Sequence, residues 1–398
     1  MDAVAQSYYE VARTIVGFFD ADEFKIRWDE LYPTSKPSQS RLDRYSFNVR
    51  AQSGTAFLWA DRRGSYVFVD INGAPKAWQT RARVTAPRSS KSDISGLKID
   101  IERARTVARL LYEAFLPTGP GIFGDHAQSQ TILPVGLSPG TREHLLFLTF
   151  TNCVNRARDA LDLWRRCCDA WSNPAYRYLF EPGEVQDAGF DKLRGDLVDL
   201  KISRKHQVDC RAWYQIAKTL HQRWQGNPRC FLEACNFHAP TILARLRSDL
   251  MDGKPAFPLL RGAKIAPLWI RMLQDDGKIA LSDLADVPIA VDVHVLRATL
   301  CSGVITGSYR GREGPLFEQI RRVWRLAGHD LTRGTGEPMV ALDVDEALWT
   351  LSRSGCSRRG NGALGSCSLN CPMAGGCAKG SISIQNGAYE FALELERT

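Results

Sequence analysis

Apolar residues change their spacing along this chain, and the changes divide it into parts. Over the first twenty residues Val4, Tyr8, Val11, Ile15 and Phe18 recur at helical intervals and predict one amphipathic helix. Between residues 45 and 85 the pattern shortens to runs of β-branched and aromatic residues at 46–49, 55–59, 66–71 and 78–84. Turn signals part them: Ser53-Gly54, Arg63-Gly64 and Asn72-Gly73-Ala74-Pro75. This predicts a small antiparallel sheet whose Arg81 and Arg83, with Lys76 nearby, form either a phosphate-facing edge or an ordinary solvated face. The polar run 87–93 contains nothing that is cheap to bury and predicts a boundary. Beyond it helical spacing dominates: 100–115, then a Gly/Pro-rich loop over 117–140. A helix opening at Ser138-Pro139-Gly140-Thr141 follows, carrying Leu145, Leu146 and Leu148 and running on to Trp164, with further helices near 183–197, 209–224, 227–235 and 240–251. Two strand-like pieces, 381–385 and 388–393, flank the turn Asn386-Gly387 and are expected to fold back as a hairpin on the N-terminal sheet.

With 398 residues, 44% of them hydrophobic, the chain can build two or three cores. The expected division is 1–92, an N-terminal helix and β-sheet; 93–350, a helical body; and 351–398, a Cys-rich loop and tail. No run of roughly 18 apolar residues occurs, so no membrane span is expected. The start Met1-Asp2-Ala3-Val4 lacks the basic opening of a signal peptide, and eleven cysteines, an odd number, suit a reducing interior. A cytosolic monomer is expected, or a nuclear one in a eukaryote. The formal charge of +8 favours a polyanionic partner.

Four of the cysteines, Cys356, Cys367, Cys371 and Cys377, lie in a C-x10-C-x3-C-x5-C pattern rich in glycine. Turns at Gly360, Gly362, Gly365, Gly375 and Gly376 allow several sulfurs to aim at one point. That pattern suits an iron–sulfur cluster or a zinc ion. The C-x2-C knuckle of most zinc sites is absent and no histidine lies in the segment, which favours a four-iron cluster over zinc. Unconnected or disulfide-paired thiols are the remaining alternative.

Two further segments carry chemistry. Phe257-Pro258-Leu259-Leu260-Arg261-Gly262-Ala263-Lys264-Ile265 reads as a glycine turn feeding a helix, whose first N–H groups can grip a DNA phosphate. Downstream, Pro288-Ile289-Ala290-Val291-Asp292-Val293-His294 places an acid where a helix begins, the position of an ordinary cap.

Taken in order, a glycine hairpin with lysine, a Val-Asp-Val-His helix start and a C-terminal cysteine cluster resemble the helix-hairpin-helix DNA glycosylase superfamily. The endonuclease III-like branch with a four-iron cluster is the nearest in pattern. The resemblance spans about residues 140 to 380 and is specific at Gly262 to Ala266, Val291 to His294 and Cys356 to Cys377. It implies a mainly α, helix-hairpin-helix glycosylase core with a C-terminal iron–sulfur loop and an N-terminal β-rich accessory domain, α+β overall. It also implies action on double-stranded DNA bearing a damaged or modified base. Lys264 falls where the family places its catalytic lysine and Asp292 where it places its aspartate. A carboxylate beside the sugar stabilises the oxocarbenium character of glycosidic cleavage. A neutral lysine amine adds to the sugar carbon as a Schiff base, after which β-elimination cuts the strand.

Arg261, Gly262 and Ala263 are the expected phosphate grip, and Arg353 and Arg358, with Arg359 and Lys379, the expected backbone contacts of the cysteine loop. Thr151, Asn152 and Asn155 are candidates for filling the gap left by an extruded base, Asn152 foremost. Trp213, Tyr214 and Trp269 are candidates for stacking or for core. The chain departs from the family pattern where Leu260 replaces the first hairpin glycine and where Lys264 and Asp292 stand 28 residues apart, implying extra residues around 274–287. Only the last cysteine spacing agrees with the usual one, which marks a divergent branch. Two other readings stay open: a glycosylase without lyase activity acting on a bulky modified base, and a non-catalytic iron–sulfur protein that binds distorted DNA.

Overall fold

The structure, a computed structural model, describes strands at 45–51, 54–60, 66–71 and 80–83 and residues 94–115, 131–156, 158–329, 331–356, 371–385 and 388–393. The helix expected over the first twenty residues lies outside these. The chain is mainly helical with small antiparallel sheets. It divides into two compact units, Met1–Lys91 and Ser92–Thr398. Among the described residues no helix is long and apolar enough to cross a membrane.

In the first unit β1 (Tyr45–Ala51), β2 (Gly54–Ala60), β3 (Tyr66–Ile71) and β4 (Thr80–Arg83) form an antiparallel meander in chain order. Val49 pairs with Ala56, Leu58 with Val69 and Phe68 with Arg81.

The second unit opens with β5 (Leu97–Ile99) and α1 (Ile101–Ala114). Asp100 caps α1 by accepting the Arg103 N–H at 2.9 Å, and Ala104, Val107, Ala108 and Leu111 make its buried stripe. Next come α2 (Arg142–Cys153), α3 (Ala160–Ser172), α4 (Pro182–Asp199), α5 (His206–Arg223), α6 (Pro228–Glu233) and α7 (Ala239–Ser248). Every residue of α2 from His144 to Cys153 is buried, so this helix has no solvent face and the others pack around it. Trp213 stacks on Phe150 at 5.0 Å and donates its Nε1–H to the Leu179 carbonyl. Trp269 donates to the Thr149 hydroxyl. Both indoles are therefore core members.

After α7 a two-residue ladder, β6 (Leu250–Met251) with β7 (Lys254–Pro255), turns through Asp252 and Gly253, both at positive φ. The chain then reaches α8 (Ile265–Asp275). Between them the left-handed position is held by Leu259, φ +63, not by a glycine. Leu260 is wholly buried and anchors the turn, and a Cβ at Gly262 would stand 3.2 Å from the Leu259 carbonyl oxygen. The residues expected between the two site segments form a loop: Ala239 N–H bonds the Ser282 carbonyl and Ser282 N–H the Phe237 carbonyl.

A buried run, Ile289 to Val291, leads into α9 (Val293–Cys301), β8 (Ile305–Arg312), α10 (Glu313–Gly328) and α11 (Asp345–Thr350), the last continued by a π-helical turn over Leu351–Gly355. The strands β9 (Ser383–Gln385) and β10 (Ala388–Leu393) do form a hairpin, but they join β8 and β5 in the order β5-β8-β10-β9, not the N-terminal sheet. The reason is Phe391, which pairs across the ladder with Tyr309, rings 6.1 Å apart, and is buried with it. The segment 351–398 is likewise built into the second unit where it is described, through Leu351, Met373 and Phe391.

Two hydrophobic clusters result. One gathers α2 to α8, the other α1, α9, α10, α11, β8 and β10. Across their seam Arg271 of α8, 2% exposed, meets Asp345 of α11, 1% exposed, at 3.1 Å, and Asp345 also accepts the Ala290 N–H at 3.0 Å. Burial works against the Arg271 charge, but Glu346, Asp345 and Asp275 hold the guanidinium protonated. Replacing Arg271 by Met leaves a buried carboxyl without its partner. The expected loss is about 3 to 5 kcal/mol in urea unfolding at neutral pH. Asp345→Asn in the same background, which keeps an acceptor for Ala290, is expected to recover part of it; a single variant as stable as wild type contradicts the role of the pair.

Candidate active site

Lys264 stands at the N-cap of α8 and Asp292 at the N-cap of α9, one on each hydrophobic cluster. Their side chains meet, with Lys264 Nζ 2.8 Å from Asp292 Oδ2. The other carboxylate oxygen, Oδ1, accepts the N–H groups of His294 at 2.8 Å and Val295 at 3.2 Å. One oxygen thus satisfies the helix start and the other faces the amine. Burial alone would raise the Asp292 carboxyl, but the Lys264 ammonium, His294 and the Val295 N–H hold it below the ordinary carboxylate value. The amine is the more open of the two, with side-chain exposures of 32% and 14%.

The pair lies on the wall shared by two hollows. The smaller, about 170 Å³, is lined by Asn155, Leu268, Asp345, Trp349 and the Asp159–Arg353 ion pair, among others. The larger is about 770 Å³, with Arg158, Lys264, Asp292 and His294 common to both. Basic side chains dominate this wider cleft: Arg156, Arg158, Arg261, Lys264 and Arg321 against Asp292 and Glu313. Phe317 and Tyr389 form its far wall in an edge-to-face pair at 5.6 Å. The Tyr389 hydroxyl donates to Glu313, and burial with that carboxylate pushes the phenol up to about 12.

Supporting groups fix the pair. His294 Nδ1 lies 3.3 Å from Ser352 Oγ and its ring packs edge-on to Trp349 at 5.7 Å; burial lowers its pKa. Asp345 lies beneath, and burial pushes its carboxyl up to about 6 against the pull of Arg271 and the Ala290 N–H.

The other sequence-predicted residues divide. Arg261, Gly262 and Ala263 line the cleft, Arg261 with one guanidinium nitrogen on the Arg247 carbonyl at 3.3 Å. Asn152 does not face any opening: it is 0% exposed, donating to the Leu148 carbonyl and Met272 sulfur, both at 3.0 Å. Three residues later, past the end of α2, Asn155 lines the small cavity. Arg353, expected at the DNA backbone, reaches Asp159 at 3.0 Å and lies over the Trp349 ring at 5.0 Å. Arg358 and Cys367 lie outside the described residues, as does Arg359.

Cys356 ends the π-helical turn, and Cys371 and Cys377 flank a 3-10 turn at Ala374–Gly376; all three are half-buried. Cys356 and Cys371 pack against the second cluster, and Cys377 Sγ accepts the Lys379 N–H at 3.4 Å. Among the described residues no group of three or more His, Cys, Asp or Glu is arranged to hold a metal ion. Half-buried thiols beside backbone donors suit iron as ligands.

Arg158, Asp345, Trp349, Phe317, Arg321 and Tyr389 belong to the site without any local motif, because they come from four separated places in the chain: the link between α2 and α3, then α10, α11 and β10. No model of a known protein family matches this chain, and no curated protein matches it.

Lys264→Met tests the pair directly. With the ammonium gone, burial acts on Asp292 with less opposition, so its carboxyl titration, followed by NMR, is expected to move up. The stability it contributes in the wild type is present above the ordinary carboxylate range and lost as pH falls through its lowered pKa. That acid-side loss is expected to shrink or reverse in the variant; an unmoved Asp292 titration would show that the amine does not set it.

Proposed function

We propose that this protein is a DNA glycosylase with an associated lyase activity, removing a damaged or modified base from double-stranded DNA. The observation that carries the reading is the 2.8 Å approach of Lys264 to Asp292 on the wall that a small cavity shares with an arginine-lined cleft. A base turned out of the duplex would enter the cavity, its sugar would lie against the pair, and flanking phosphates would follow the basic wall. Helix-hairpin-helix topology is part of the proposal: α7 and α8 joined by the turn through Gly262 would offer their backbone donors to a phosphate.

The chemistry balances with these two side chains. As the glycosidic bond breaks, the base leaves with its electron pair and takes up the proton given by the Lys264 ammonium. The amine lone pair then bonds to C1′. Asp292, held ionised, stabilises the positive charge that develops on the sugar. The added amine passes a proton to O4′ as the ring opens, which gives a Schiff base to Lys264; Asp292 takes a C2′ proton as the 3′ phosphate leaves with the electron pair of its C–O bond, and water later releases the lysine. The resting ion pair protects both groups until substrate displaces the contact.

Lys264→Ala is expected to abolish borohydride trapping of a covalent protein–DNA adduct while duplex binding persists. Base release that survives without trapping would favour a glycosylase lacking lyase activity, and a wild type with neither would favour a binding protein. Asp292→Asn is expected to slow base release by about a hundredfold or more.

Cys356, Cys367, Cys371 and Cys377 would hold a four-iron, four-sulfide cluster, with zinc as the alternative. Its contribution would be structural, fixing the C-terminal loop against the second core. Purified protein is expected to carry about four iron and four sulfide and to absorb in the visible; Cys371→Ser is expected to lose both. Zinc without sulfide on elemental analysis would overturn the cluster.

A further inference from the structure

Of the polar side chains that line the small cavity and take no part in the chemistry above, Arg158, Asp159, His294, Asp345 and Arg353 are bonded to neighbours, and Asn155 is the exception. Asn155 follows Val154, the C-cap of α2, and its own N–H is spent on the Asn152 carbonyl at 3.0 Å. The residue is 4% exposed and lines the cavity, and its carboxamide has no hydrogen-bond partner among the described residues. It is not among the buried polar atoms sealed without a partner, so the amide opens on the hollow and is free to bond a group that enters it.

The surroundings narrow the partner's chemistry. Leu268 and Trp349 give apolar walls suited to a flat ring. Ser352 engages His294 Nδ1, leaving Nε2 as that ring's other polar atom on the same wall. Asp159 and Arg353 pair across the seam at 3.0 Å on the cavity lining, 194 residues apart in sequence. A carboxamide presents one acceptor and two donors in a plane, which matches a heterocycle edge carrying a donor beside an acceptor.

We propose that the cavity receives the extruded base and that Asn155 determines specificity by reading a base edge with adjacent donor and acceptor. This rests on the glycosylase reading, because the Lys264–Asp292 pair on the cavity wall is what would place the sugar there. Asn152 has no such role, being closed into the core, so the carboxamide that matters is the one at the helix end. Bases in which that edge is blocked by an alkyl group would be rejected, since two buried polar groups would then go unpaired.

The test compares Asn155→Leu and Asn155→Asp with wild type in two measurements. The first is base release, read as strand breakage after hot alkali, on duplexes containing 8-oxoguanine, uracil, thymine glycol or 5-hydroxymethyluracil. The second is affinity for a duplex with a tetrahydrofuran site, which has a sugar and no base. Base release is expected to fall about tenfold or more in both variants, beyond any change in tetrahydrofuran affinity. Equal falls in both measurements, or no fall in either, overturn the assignment, because Asn155 would then be structural. A wild type that binds the base-free duplex but releases none of the four bases also overturns it. A wild type that neither binds nor releases refutes the glycosylase reading itself.

Discussion

The buried ion pair of Arg271 with Asp345 is the constraint on which the site depends. Arg271 lies two turns along α8 from Lys264, Asp345 accepts the N–H of Ala290, and Ala290 is two residues before Asp292. Lys264 and Asp292 are therefore linked twice, by their own contact and by a chain of polar bonds running beneath the cavity. Taking two charges out of water costs more than a surface pair would, and such a pair is weak support for stability on its own. Its effect here is directional. A guanidinium with a fixed fork allows few arrangements of the two clusters, and apolar packing alone would tolerate many.

Charge is distributed unevenly about the seam. Basic groups line the outer cleft, whereas the inner cavity places Asp292, Asp345 and Asp159 beside Lys264, Arg158 and Arg353. A polyanion would be drawn to the first and stopped at the second, where cations already have carboxylate partners. Asp292 stays ionised despite burial because one oxygen is bonded by backbone N–H groups and the other faces an ammonium. The same carboxylate without Lys264 would be a buried charge with half its support.

Lys264 and Asp292 were legible in the chain because each sits on a short pattern, a glycine turn before a helix and an apolar run ending in an acid. The four strands at 45–83 were legible for the same reason: alternation and turn pairs are local properties. Asn152 and Asn155 show where legibility ends. They lie three residues apart on one polar-looking stretch, yet one is sealed against Met272 and the other lines a cavity, a difference set by the neighbouring helix α8. The partners of Arg353 were equally illegible, because Asp159 and Trp349 come from opposite sides of the seam.

The sequence by itself determined the strands at 45–83, most helical segments and the turns between them, since these depend on spacing within a few residues, but not the break that ends α2 at Cys153 before α3 begins at Ala160. It also determined that residues 381–393 would pair as a hairpin. The tertiary structure decided what that hairpin joins, which asparagine faces a hollow, and that an amine and a carboxyl 28 positions apart stand 2.8 Å from each other. Those outcomes rest on contacts between residues far apart in the chain, such as Arg271 with Asp345 and Phe391 with Tyr309, and no local periodicity encodes a partner's identity.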